Sequence, residues 1–448
     1  MKNFYFPIGL LLFCCIIGLT YLTPRSDFDS LLLYYFDYWV LFLCILFFQK
    51  EYLISSFKTW FTLAVLLRVT TFFAFPNLSD DVYRFIWDGR LLVQGINPFS
   101  HLPSYYIENQ ATISNIDTSL FLKLNSPDYF TIYPPVCQSI FWLACFLFPN
   151  NELSSMLVMK CFLFVCELGS FYFILKLLQQ QKLDKIRFFW YALNPLIILE
   201  ICGNLHFEGA MICFLLGALY FLFESNNETY PPKKALRFLV LAAFFFALSV
   251  ASKLLPLLFL PLLWRYLGLK KGAMFQLLVG IFCAMLFLPL LNTTVLQNMS
   301  SSLGLYFQKF EFNASLYYLL KPIGTWIYDY NPRILIGRTL SILTIIGIIF
   351  LAFRQQKNDT TSLFSNLLFA FVLYLCCSST VHPWYLSMAL ALSLFTGHRF
   401  VLLWSGLIFL TYSHYNGGGF KENYLYILGE YSVVFGYFLY SSFVSKNI

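Results

Sequence analysis

The sequence predicts an all-α polytopic membrane protein of about 13–15 transmembrane helices, with amphipathic helices in its first large loop. Three observations predict it. Of 448 residues, 59% are hydrophobic and 11% charged, 53 are phenylalanine, and the mean hydropathy is +0.70; soluble domains are about 45–50% apolar. Apolar runs that approach the ~20 residues needed to cross a bilayer recur along the whole length. The Lys and Arg behind the net charge of +7 sit in short connectors and form no patch, which argues against a nucleic-acid partner and for a lipid bilayer.

The elements follow in order. The run FYFPIGLLLFCCIIGLTYL resembles a signal peptide, yet it lacks a small-residue cleavage site and further spans follow, so 5–22 reads as an uncleaved first span. Further spans are expected at 31–48, 59–75, 156–178, 188–202, 209–223, 237–252, 254–266, 274–291, 334–353, 362–377, 383–396, 400–412 and 424–442. The connectors QKEYLISSFK, QQQKLDKIR, PPKKALR, RYLGLKKG, FRQQKN and GHR are basic. Placing all six in the cytoplasm lets the spans alternate, with both termini inside. YPPVCQSIFWLACFLF, 133–148, is short and opens on two prolines. A full crossing there would put the next basic connector outside, so it reads as a re-entrant helix with its ends covered by protein.

That sorting places loop 76–132, GNLHFEG, Lys253, loop 292–333 and SSTVHPW together on the extracytoplasmic face. The chain reads as a single domain, 1–448, with 76–132 as its catalytic loop and 292–333 as a second outer loop. No repeat period or linker divides it. Its 12 cysteines are scattered through apolar segments without metal-ligand or redox spacing, and they read as packing residues.

Charge gathers in one place. Three aspartates and two arginines fall between Asp80 and Arg90, in LSDDVYRFIWDGRLLVQG. Ser79 suits a helix cap, and acids suit the first turn. On that helix Asp81, Arg84 and Asp88 share a face, as do Asp80, Arg84 and Trp87. Two readings stand side by side: an interfacial helix with ion pairs to Arg84 and Arg90, or a carboxylate general base, Asp80 or Asp81. Lys253, His206 and His382 are the candidate anion clamp. Lys253 equally suits snorkelling, and His206 suits pairing with Glu208. Trp87, Tyr133, Trp384 and Tyr385 suit ring stacking or an aromatic belt.

Taken together, SDDVYRFIWDGRLLVQGINPF, YPPVCQSIFW, NPLIILEICGNLHFEGAM, ASKLLPLLFLPLL, FEFNASLYYLL and VHPWYL resemble the GT-C superfamily of integral-membrane glycosyltransferases. They are most similar to bacterial polyprenol-phosphate-mannose-dependent mannosyltransferase-like proteins, and more distantly to the first mannosyltransferase of GPI-anchor assembly. The likeness covers about 60–395 in motif order. It implies an inverting transfer from a polyprenyl-phosphate sugar to a glycan or glycolipid acceptor. By this likeness Asp80 matches the first acid of the loop motif and is the expected base, with Asp81 the near alternative. Asp88 matches a further acid of the GPI-type pattern, whose D-x-D is broken here by Val82. No metal and no cofactor are expected. Arg84, Trp87, Asn97 of the GINPF turn, Tyr133, Asn204, His206, Glu208, Asn313 of FEFNASLYYLL, His382 and Trp384 are expected around the substrate. Lys253 is the expected phosphate contact.

A phosphate is already a good leaving group, so one base and one cationic clamp suffice. The other readings are a polysaccharide polymerase, a transferase of another sugar, or a transporter or flippase of lipid-linked sugars. A transporter would carry its charges near mid-membrane on broken helices, often in two related halves. Here the acids concentrate in one outer loop.

Overall fold

The computed structural model describes residues 5–48, 50–109, 113–290, 295–298 and 310–444. Among these residues the named elements are all helices, and the one extended pairing is a parallel bridge between Phe312 and Thr380. Loop 292–333 therefore lies partly outside the described residues. Each expected span falls largely on helix. Seven helices are each long and apolar enough to cross a bilayer: Phe28–Phe48, Glu152–Gln180, Glu208–Ser225, Pro232–Ser252, Leu269–Phe287, Arg333–Arg354 and Thr360–Cys377. A pair bent by 47°, Lys185–Ala192 and Pro195–Gly203, makes an eighth. Shorter apolar helices include Pro7–Leu22, Pro135–Leu147 and Leu255–Leu267. Phe36, Phe48, Leu277, Ile345 and Phe353 stay exposed on the outside of long helices, which is tolerable only where lipid covers them. This is a polytopic helical membrane protein.

The bent pair breaks where Pro195 has no N–H to give. Asn194 caps the second half, its Oδ1 accepting from Leu196 N at 3.0 Å. The carbonyls freed by the break find donors: Arg68 Nη1 reaches Ala192 O at 2.7 Å, and the Tyr38 hydroxyl reaches Leu193 O at 3.2 Å. Arg68 also pairs with Glu167 at 2.9 Å, both wholly buried, and Tyr191 donates to the same carboxylate at 2.6 Å. Two charges in a low-dielectric interior persist only when paired and bonded in this way.

The basic connectors gather at one end of the bundle. Lys50 pairs with Asp184 at 3.0 Å, Lys271 donates to Ser225 O at 2.7 Å, Thr360 to Gln181 at 2.6 Å, and Asn358 N to Tyr266 O at 3.0 Å. The 18-residue helix Glu208–Ser225 spans about 27 Å from that end to the other. There Glu208 meets Lys253 at 3.1 Å. The acid-rich loop lies at this second end.

Helix Pro135–Leu147 does not run between the ends. Tyr133, just before it, donates to Asp81 at 3.1 Å; Glu152, just after it, pairs with Lys123 of the same loop at 3.0 Å. It lies against helix Asp81–Val93, with Phe85 stacked on Phe141 at 4.6 Å between ring centres. Gly89 permits this approach, since a Cβ there would stand 2.3 Å from the Phe141 carbonyl oxygen. The free cysteines include Cys145, whose Sγ lies 3.5 Å from Ile86 O in this seam.

Candidate active site

A cavity of about 480 Å³ opens at the acid-rich end. Five separate stretches wall it: Leu78–Asp81 with Arg84, then Asn125–Tyr133, Lys253, Phe310–Phe312, and Thr380–Tyr385. Arg25, Tyr412, Tyr415 and Phe420 complete the wall. Segments hundreds of residues apart thus meet at one surface, and Asp80, Asp81, Arg84, Tyr133, Lys253, His382 and Trp384 are among them.

The two acids differ in their surroundings. Asp80 occupies the N-cap position of helix Asp81–Val93 without capping it through its side chain, and Ser79 Oγ accepts from Asp81 N at 3.3 Å. The Asp80 side chain is 41% exposed, enough for a substrate to reach it, and its Oδ2 accepts from Arg25 Nη2 at 2.8 Å. Asp81 is held on both oxygens, by Asn125 Nδ2 at 2.7 Å and by the Tyr133 hydroxyl at 3.1 Å. Burial and the Asp81 charge raise the Tyr133 phenol well above its usual range, so it stays a donor.

The cations differ too. Arg84 spends its guanidinium inward, on Asp88 at 2.9 Å and on the carbonyls of Ser126 and Tyr129 at 3.1 and 2.9 Å. Lys253 follows helix Pro232–Ser252, pairs with Glu208 at 3.1 Å, and lies 5.1 Å from the centre of the Tyr133 ring. Burial is the strongest single influence and opposes its charge, but the charges around it, Glu208 first and Asp81 among the others, together outweigh burial and lift its pKa above the ordinary lysine value. Arg25 lies over the Tyr415 ring at 4.5 Å and is partly exposed.

One wall is a column of rings. Trp384 stacks on His206 at 3.8 Å and on His382 at 4.4 Å, and His382 in turn meets Phe312 at 4.5 Å. Both faces of the indole are covered, so Trp384 offers the cavity its edge. Burial drives His382 down to about 3, so it is neutral at physiological pH. His206 sits behind the indole, 3.4 Å from Glu200, whose other oxygen accepts from the Tyr412 hydroxyl at 2.6 Å.

Five other expected residues lie behind the wall. Asp88 is buried between Arg84 and Gln138, whose Nε2 reaches it at 3.0 Å, so it orients Arg84. Trp87 is buried against Tyr106 and Phe121, on the helix face turned from the cavity. Asn97 ties its turn to Leu290 O at 2.9 Å. Asn204 holds Leu78 N through Oδ1 at 3.3 Å, fixing the chain before the acids. Asn313 adopts φ +48° and bonds Glu430 at 3.2 Å through its amide.

Among the wall residues that carry no expectation from sequence are Arg25, Glu311 and Tyr415. Glu311 is gripped by Lys321, by Arg333 at 2.6 Å, by Tyr317 at 2.7 Å and by Asn331 at 3.0 Å. Burial alone would raise its pKa, but these donors outweigh burial and lower it. The local signal that could have flagged Arg25 is the short charged loop RSDFD after the first span. Among the described residues no group of three or more His, Cys, Asp and Glu gathers at metal-ligand spacing.

No curated protein and no solved structure matches this chain. Residues 18–267, over half of it, match the family described as alpha-(1->6)-mannopyranosyltransferase, N-terminal domain. That stretch takes in Arg25, both acids, Tyr133 and Lys253, and so the chain belongs to this family of mannosyltransferases and is a membrane glycosyltransferase.

Proposed function

We propose that the chain moves mannose from polyprenyl-phosphate mannose to a hydroxyl of a glycan or glycolipid, with inversion, at the extracytoplasmic face. The observation that carries this reading is the meeting of an accessible carboxylate, Asp80, with Arg25 and Lys253 in one cavity at the end away from the basic loops. Asp80 takes the acceptor's proton while the acceptor oxygen bonds to the anomeric carbon. The bond from that carbon to phosphate breaks, and its electron pair leaves on the phosphate oxygen, stabilised by a cation. Asp81, held by Asn125 and Tyr133, sets the position of the loop and is the near alternative as base. An inverting transfer that forms the α-linkage named in the family's description consumes a β-linked donor.

A second, apolar groove supports a lipid-borne donor. It holds about 430 Å³ between helix Pro135–Leu147 and the end of helix Leu269–Phe287, lined by Leu92, Ile140, Trp142, Leu143, Leu286 and Leu290. Thr131 and Tyr133 line the first cavity and Pro135 and Gln138 the second, so the two share a wall. A transporter would use the bent helix and the buried Arg68–Glu167 pair, but that pair is closed on itself and neither member lines the cavity. The test is Asp80→Asn in purified protein supplied with polyprenyl-phosphate mannose. Transfer should fall by a factor of about 10²–10⁴ while the protein remains folded; undiminished turnover would remove Asp80 from the reaction.

A further inference from the structure

We propose that Arg25 is shared between the base and the donor: it holds Asp80 until the donor phosphate competes for it, and it then releases the carboxylate to take the acceptor's proton. This rests on the transferase reading above and adds to it a residue and a coupling between donor binding and the base.

Three guanidinium or ammonium groups face the cavity among the described residues, from Arg25, Arg84 and Lys253. Arg84 is buried and its donors are spent on Asp88 and two carbonyls. Lys253 pairs with Glu208, not with Asp80. Arg25 is different. Its Nη2 holds Asp80 at 2.8 Å, its Nη1 has only a long contact of 3.4 Å to Leu78 O, and its plane rests on the Tyr415 ring. A guanidinium carries five N–H donors, and its planar fork matches a phosphate as well as a carboxylate. The side chain is 29% exposed toward a cavity that Asp80 shares, so a phosphate beside Asp80 lies within its reach.

Asp80 and the donor phosphodiester each bring one negative charge against the single positive charge of Arg25, so its move to the phosphate leaves the Asp80 carboxylate unpaired, and more basic, until the acceptor's proton neutralises it. The charge on the phosphate grows as the bond to the sugar breaks, so Arg25 gains on the phosphate as Asp80 loses its negative charge to the acceptor's proton. Tyr415 keeps the guanidinium plane in place through the exchange, since stacking under a cation costs no donor. A base that stays engaged without the donor also spares the cavity a free carboxylate that would activate water.

The experiment uses the full chain in lipid nanodiscs and two probes of equal chain length, polyprenyl phosphate and polyprenol. Wild-type protein should bind the phosphate more tightly than the alcohol. Arg25→Ala should remove about tenfold or more of that preference, the worth of one charge-assisted hydrogen bond, and leave polyprenol binding unchanged. Arg25→Lys should restore part of it. In turnover, Arg25→Ala should raise the KM for polyprenyl-phosphate mannose by a similar factor and lower kcat as well, because the phosphate that leaves with growing charge loses its cation. An unaltered phosphate preference, or a fall in kcat with KM unchanged, overturns the proposal. Should Arg25→Ala aggregate, Arg25→Gln keeps the stem over Tyr415 and carries the same expectation. Wild-type protein that binds the phosphate through Arg25 yet transfers no sugar overturns the transferase reading and supports the phosphate site, so the two failures are distinct.

Discussion

Trp384 lies between two imidazoles, and that packing sets what His382 can do. An imidazole with one face on an indole and the Phe312 ring beside it is largely stripped of water although it borders the cavity, so burial disfavours its cation. Its pKa falls to about 3 from an ordinary 6.5, and burial lowers His414 to about 4 in the same corner. The unfolded chain binds a proton at each histidine below about pH 6.5, and the folded chain does not. Stability therefore falls as pH drops from 6.5 toward 4. The thermal midpoint of purified protein should decline over that interval, and His382→Phe, which keeps the stack, should flatten the decline without abolishing it, since His414 remains. An unchanged slope in His382→Phe would show that His382 is hydrated.

The residue scale also shows what could be read in advance. The paired acids stood out because charge is costly in so apolar a chain, and both reach the cavity. Lys253 stood out for the same reason. Trp87 and Asp88 share a motif with site residues but lie behind the wall, because spacing on a helix groups residues without telling which group faces the cavity; Asn97 and Asn313 lie outside helices and are spent on Leu290 O and Glu430. Arg25 was not legible, because its role comes from Asp80 and Tyr415, partners 55 and 390 positions along the chain.

At the scale of elements, the site depends on two helices pressed together. Helix Asp81–Val93 carries both the acids and Arg84, and helix Pro135–Leu147 follows Tyr133 and supplies Gln138 to Asp88. Gly89 sets their spacing. A methyl group there meets backbone at Phe141, which cannot rotate away as a side chain can. Gly89→Ala should cost about 1–3 kcal/mol and, by shifting Asp81 from Tyr133, lower transfer as well. Gly280→Ala, inside helix Leu269–Phe287 with no neighbour within 4 Å, should leave transfer unchanged and stability no lower. Thermal unfolding and transfer rate, measured on both variants, decide it; equal behaviour would mean that the helix pair has slack. The close seam of helix Pro135–Leu147 with the acid helix rests on a glycine that sequence alone does not single out.

Across the whole molecule, the arrangement is a separation of two ends. Basic loops interlock at one, through Lys50–Asp184 and Lys271–Ser225, and the acid loop, Lys253, Phe312 and His382 meet at the other. Loop charge made this separation legible. It did not foretell how the last helix joins it: Glu430, on helix Tyr424–Val444, is buried and accepts from Trp404 Nε1 at 2.6 Å and from the Asn313 amide, next to Phe312 in the cavity wall. Such a partner at long range has no local signature. The separation also gives the proposed donor a test. Lipid-phosphate sugars serve transfer outside the cell, whereas nucleotide sugars stay with the cytoplasm, so the end that holds Asp80 must face outward if the proposed donor is right. Positive loops favour the cytoplasm, which puts Asn125 outside and Lys182 and Lys357 inside. A reporter active only beyond the membrane should therefore work when fused after Asn125 and stay silent after Lys182 or Lys357. The reverse pattern would turn the cavity to the cytoplasm, and the donor would then have to be sought among nucleotide sugars.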